Sequence, residues 1–391
     1  MAAIDSTAAN PARPSDELLP FLNNFHDIFT TIGVVILFSG LGLGAVQVMD
    51  AAGYDTGSLA FDVLWNVLAV AMGAAAWLLS SILVGKQRRI LPGIVLTLVF
   101  AGSIGAVLAY VYTKLTFGEA DFEAAFAGFD ALGDAEAPTR AAIAAALADV
   151  PMAYRIWPVG VAACLTVPIA IYYAAFRLPF AGGLAGLGVV WIAFAALFVA
   201  DPYTALVFNP LVSLLMGLTL FLAGIWFDAR DPDRQTRLSG TGFWLHFFAA
   251  PTLLSAAVTI ASVGLRLDEA DLESAQIAGV FGAFAMEDAG AAVRTAAVTL
   301  AVIFAFAIVS LLINRRALIV SGLITAGVAT AALVNLLGFD GAVVAAITLL
   351  LLGGFVVLLG AAWNPVRRVL LAPFPKSGPI ARVFPPADGR E

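Results

Sequence analysis

Ionisable side chains are nearly missing from most of this chain. Only 12% of its residues are charged, against about 25% in a soluble domain. The shortage is concentrated. Ten apolar stretches contain no Asp, Glu, Lys or Arg, and each is roughly 18–24 residues long, enough to cross ~30 Å of hydrocarbon as a helix. With no acid or base at mid-span, an acid-relay transporter, a metal permease and a voltage sensor all lose their usual machinery. Cysteine is limited to Cys164, which excludes a disulfide within the chain and any cysteine metal site. Histidine is limited to His26 and His246, too few for haem held by two histidine pairs and poor material for a metal centre or catalytic triad. No P-loop, GxSxG elbow, HExxH or paired-acid signature occurs. No catalytic residue, metal ligand or cofactor is expected.

What remains is 61% hydrophobic, with a mean hydropathy of +0.97. The composition predicts an all-α integral membrane protein of about ten transmembrane helices. They fall at Ile28–Met49, Val63–Val84, Ile90–Tyr112, Ile156–Phe176, Phe180–Ala200, Ala205–Phe227, Phe243–Leu265, Ala296–Ile313, Ala317–Leu337 and Ala342–Ala362. The first 27 residues lack a small-residue cleavage site after a short apolar core, so the first span reads as retained. Placing both termini inside puts 15 of the 20 Lys and Arg on the inner side and 18 of the 27 acids outside. The positive-inside rule selects that orientation: a plasma membrane, cytoplasmic termini and acidic outer loops. The net charge of −7 is thus an outer-face property, which argues against a nucleic-acid partner. The bilayer itself is the expected partner, with a membrane protein or a second copy as the others.

The chain divides into five parts. Residues 1–27 form a tail with a short interfacial helix at Asp16–Asp27, carrying Leu18, Leu22 and Phe25 at helical spacing. Residues 28–84 hold spans 1–2. Residues 85–227 hold spans 3–6 and an acidic outer loop at 113–155, and residues 228–362 hold spans 7–10 and a second such loop at 266–295. Residues 363–391 are rich in proline and expected to be flexible. The two four-span parts echo each other. Glu119-Ala120-Asp121-Phe122-Glu123 matches Glu269-Ala270-Asp271-Leu272-Glu273; Arg155 and Arg177 match Arg294 and Arg316 at an offset of 139; and Trp226 matches Trp363 at 137. An even-numbered unit repeated in this way implies a parallel duplication with its axis along the membrane normal.

Candidate ligand-binding positions are few. His246 lies one turn into span 7. An isolated polar group near a helix end is more often structural than functional, and that reading leads here. Asn209-Pro210 in span 6 and Pro251 in span 7 interrupt helical ladders, freeing carbonyls that could line a cavity. Gly40-Leu41-Gly42-Leu43-Gly44, and Gly182, Gly183, Gly186 and Gly188, read as close helix contacts, since no strand precedes them. Three segments, Phe243-Trp244-Leu245-His246-Phe247-Phe248-Ala249-Ala250-Pro251, Asn314-Arg315-Arg316-Ala317-Leu318-Ile319-Val320-Ser321, and Trp363 followed by Arg367-Arg368-Val369-Leu370, resemble a family of uncharacterised bacterial multi-span inner-membrane proteins. The resemblance implies a bacterial inner-membrane location and no activity. A non-enzymatic scaffold or accessory subunit is the leading expectation. A permease for a hydrophobic or uncharged solute or lipid, with its site between the repeats, is the alternative, and a membrane enzyme the third. Apolar lateral grooves on a packed bundle would favour the first, and a cavity at the repeat junction the second.

Overall fold

A backbone amide in hydrocarbon must find its partner within its own segment, so apolar runs of this length fold as helices. The computed structural model describes residues 25–55, 57–118, 139–148, 150–231, 237–263, 289–315, 341–375 and 377–386, with scattered positions between 318 and 334. Among them every regular element is helical. They are α1 (Phe25–Ala52), α2 (Leu59–Ser80) continued by a π-turn (Ser81–Lys86), α3 (Leu91–Phe117), α4 (Arg140–Ala148), α5 (Met152–Arg155), α6 (Trp157–Phe176), α7 (Pro179–Ala200), α8 (Pro202–Val207), α9 (Asn209–Arg230), α10 (Arg237–Val263), α11 (Ala289–Ile313), α12 (Gly341–Leu371) and α13 (Pro379–Val383).

Among the described residues seven helices are long and apolar enough to cross a membrane: α1, α2 with its π-turn, α3, α6, α7, α9 and α10. They fall on the first seven expected spans. α11 covers the eighth with a shorter apolar run, Ala297–Ile313. α12 covers the tenth but bends by 53° between Leu349–Leu358 and Gly360–Leu371. Pro365 and the carbonyl four residues before it both lie within the second segment, so the bend falls ahead of the proline. The ninth expected span, most of the Asp16–Asp27 helix and the acidic segments at 119–138 and 264–288 lie outside the described residues.

The sixth expected span, Ala205–Phe227, appears as the continuous helix α9 starting at Asn209, so Asn209-Pro210 marks its start and does not interrupt it. α8 ends at Val207, Phe208 leaves helical geometry, and Pro210 occupies the first turn of α9, where no N–H is needed. Pro168 and Pro251 stay inside continuous helices. Beyond α12 the described part of the tail turns back as α13, which contacts α9. Phe384 packs beside Ala250, Ile313 and Leu318, and Arg367 donates to Pro385 O at 2.7 Å.

Two of the four hydrophobic cores among the described residues pack the first seven spans against one another. One joins α1, α2, α3, α6 and α7 around Phe38, Leu96, Phe100 and Tyr172. The other joins α7, α9 and α10 through Val190, Leu220, Leu245 and Ala249. Glycines let these helices approach. A Cβ on Gly183 would meet the Trp244 Cβ at 2.4 Å, and one on Gly188 the Thr166 hydroxyl at 2.5 Å. Contacts also sort the two ends. Arg89 donates to His26 O and Thr30 at the start of α1, Leu178 meets Gly93, and Thr241 meets Gly182. At the opposite end Trp157 donates to Thr113 at 2.9 Å, Lys114 pairs with Asp62 at 3.4 Å, and Arg140 pairs with Asp201 at 3.1 Å.

Candidate functional site

Among the described residues α9 and α10 make the most extensive helix contact in the bundle, and a fully buried histidine sits in it. Gly224 precedes Asp228 by one turn on α9, and Gly242 precedes His246 by one turn on α10. A Cβ on Gly224 would fall 2.7–2.9 Å from three atoms of the imidazole; one on Gly242 would fall 2.4 Å from the Asp228 carboxylate. The two bare positions therefore admit the two polar side chains. His246 is fully buried and its Nε2 lies 3.1 Å from Asp228 Oδ2, with the Phe221 ring edge-on at 5.0 Å. Arg315, just past α11, closes the cluster. Its Nε donates to Asp228 Oδ2 at 3.0 Å, and its Nη2 donates to Asp228 Oδ1, to Ser239 Oγ at 2.8 Å and to Ser239 O at 3.1 Å.

One carboxylate and one guanidinium cancel. A neutral imidazole donating from Nε2 keeps the cluster uncharged, which is the arrangement an apolar setting favours. Asn314 and Ser310 anchor the same corner: Trp363 Nε1 donates to Asn314 Oδ1 at 3.1 Å, the Ser310 hydroxyl donates to Arg315 O, and Arg367 Nε donates to Leu311 O at 2.7 Å. The cluster ties α9, α10, the end of α11 and α12 together. Among the described residues no group of three His, Cys, Asp or Glu could hold a metal ion.

The second candidate lies farther along α9. A cavity of about 210 Å³ opens between α7, α9 and α10, lined by Leu187, Val190, Trp191, Phe194, Asn209, Ser213, Met216, Leu220 and Thr252. Ser213 donates to Asn209 Oδ1 at 3.3 Å, and Thr252 to Phe248 O at 3.4 Å. Beside it, an apolar groove of about 550 Å³ runs between α6 and α7 and shares the wall formed by Leu187, Trp191 and Phe194.

The four sequence candidates are thereby divided. Asn209 lines the cavity. Pro210 is buried in the first turn of α9, while Pro251 is exposed and its neighbour Thr252 faces the cavity. His246 belongs to the ion cluster instead. Asp228 and Asn209 are nineteen residues apart on one helix, about 28 Å at 1.5 Å per residue. The acid partner of His246, Asp228, comes from the facing helix, eighteen residues away in sequence. Asp228, Ser239 and Arg315 were missed because each sits at the margin of a span, where a charge is taken to reach water. The glycine one turn before each partner on facing helices is the signal that could have found the pair. No protein-family model, curated protein or solved structure matches this chain.

Proposed function

We propose that this chain is a non-enzymatic multi-pass protein of a bacterial inner membrane, acting as a scaffold or accessory subunit that seats another membrane helix. The observation that carries the reading is a contrast between two sets of glycines. Those of α7 are filled by Trp244, Leu245 and Thr166, whereas Gly33, Gly40, Gly42 and Gly44 of α1 meet no atom within 4 Å of an added Cβ among the described residues. Small residues flanked by lipid-facing apolar side chains are how membrane helices seat one another. Ile36 and Leu43, 66% and 70% exposed, flank them. The large lateral groove on α6 and α7 agrees with the same reading. Ten spans, cytoplasmic termini, acidic periplasmic loops and a duplicated four-helix unit are part of the proposal.

The test exploits the single native cysteine. In a Cys164→Ser background, Leu37→Cys on the glycine face of α1 is compared in native membranes with Leu222→Cys on the exposed face of α9, using a bifunctional thiol–amine crosslinker. A discrete adduct with a second polypeptide at position 37 alone supports the scaffold. Equal, diffuse labelling at both positions overturns it.

A permease remains the second reading, favoured by the cavity at the junction of the two units. It predicts that Asn209→Ala changes uptake of an uncharged solute at unchanged expression. Unaltered flux of the true substrate removes that site.

A further inference from the structure

The groove and the cavity share one wall, and Trp191 stands in it. Tryptophan in a membrane span concentrates at the interfaces, where the ring lies in apolar surroundings and its N–H reaches water. Trp191 is instead near the middle of α7 and is 52% exposed. Its ring is held edge-on by Phe194 at 5.6 Å. Among the described residues its indole N–H has no acceptor, and indole nitrogen can only donate. An unmet donor at that depth is costly in hydrocarbon. Across the cavity the Asn209 carbonyl oxygen is taken by Ser213, which leaves the amide N–H groups without an acceptor among the described residues. Two donors therefore border a space with no charged side chain in its lining.

The groove alongside offers the opposite chemistry. Its two other polar side chains are satisfied internally: the Thr166 hydroxyl donates to Ala162 O at 2.7 Å, and the Trp157 indole donates to Thr113 at 2.9 Å. Nothing there can greet a polar ligand. From Trp157 to Ile169 it follows α6 for twelve residues, about 18 Å of helix, and its volume of about 550 Å³ falls within the ~300–1,000 Å³ of ligand sites.

We propose that groove and cavity form one binding site for an uncharged lipid, whose hydrocarbon chain lies between α6 and α7 and whose carbonyl oxygen accepts from Trp191 and Asn209. The two halves demand a ligand with both properties. A bare hydrocarbon leaves both donors unmet. A charged headgroup finds no counter-ion. A small polar solute gains nothing from the groove. The site stands independently of whether the protein is a scaffold or a permease.

The test uses two photoactivatable probes of equal chain length, a diazirine-bearing fatty acyl methyl ester and the corresponding diazirine-bearing alkane, applied to the purified full-length protein in detergent. The expected result is stoichiometric ester labelling on α6 and α7, several-fold above the alkane. Trp191→Phe should reduce that preference several-fold with unchanged thermal stability. Ala162→Trp, which fills the groove, should abolish labelling by both probes there, while Leu222→Trp, on a lipid-facing surface elsewhere, should leave it unchanged. Equal labelling by ester and alkane, or labelling spread evenly over α1 and α12, overturns the proposal. If Ala162→Trp fails to fold, the Trp191→Phe comparison still decides the question.

Discussion

A carboxylate buried with its only full counter-charge has an asymmetric energetic role. Removing one partner strands the other, at a cost of about 3–5 kcal/mol, whereas replacing both with apolar groups is often neutral. Asp228→Ala, which leaves Arg315 beside Ser239 without its carboxylate, should therefore lower the thermal midpoint in detergent sharply. The double change Asp228→Leu with Arg315→Met should recover most of the loss; a double variant as unstable as the single would show that the pair's geometry itself holds the fold. Gly224→Ala tests the other side of the cluster. Its methyl group would displace the imidazole, and overpacking of this kind costs about 1–3 kcal/mol; an unchanged midpoint would mean that His246 has room to move. Outside the membrane, Asp201 caps α8. The Thr204 hydroxyl donates to it at 2.7 Å, and with help from the Thr204 amide and Arg140 this holds its carboxyl below the ordinary carboxylate value. A depressed folded-state pKa stabilises the fold above the unfolded-state value of about 3.9 and loses that contribution as pH falls through the folded value. Acidification below about pH 4 should thus loosen the Arg140–Asp201 contact in wild type. Asp201→Asn should remove that acid-dependent step, and a step that persists in the variant would assign it to another group.

Turns rather than spans carry the strain in this bundle. Arg88, Arg177 and Asn314 each follow a descending helix with φ of 56°, 52° and 56°, and two of the turns are so short that α3 begins at Leu91 and α7 at Pro179. A left-handed conformation costs an ordinary L-residue about 1–2 kcal/mol, less for asparagine. Arg177→Gly should therefore stabilise the α6–α7 hairpin by up to about 1 kcal/mol. Asn314→Gly should not, since it also gives up the acceptor of Trp363. Equal gains at both positions, measured by unfolding in detergent, would mean that the Asn314–Trp363 bond contributes nothing. The π-turn closing α2 has a comparable local cause. Ser80 and Ser81 donate back to Ala76 O and Trp77 O at 2.6 and 3.0 Å and compete for the helical ladder. Such features were only partly legible in the sequence. The apolar runs declared seven helices to within about five residues at their ends, and Asn209-Pro210 marked where α9 starts. The bend in α12 was not foreseen, because the run Ala342–Ala362 is apolar throughout and holds no proline at the break before Gly360. The glycines of α1 and α7 look alike in sequence. Only tertiary contact separates those that are filled from those left open, and the same limit hid the cavity that Asn209 turned out to line.

At the scale of the whole molecule, the cluster joins parts of the chain that are far apart in sequence. Asp228 and Arg315 are 87 residues apart, and everything between them must be threaded before they meet. Ribosomes add about 5–20 residues per second, so the carboxylate of a newly inserted α9 waits roughly 4–17 s for its partner at those rates. During that interval the cluster partner already made is His246 on α10, eighteen residues after the carboxylate and 3.1 Å from it in the finished bundle. Chain order thus supplies the imidazole first and the guanidinium last, so the group that neutralises the carboxylate is the final one to be made.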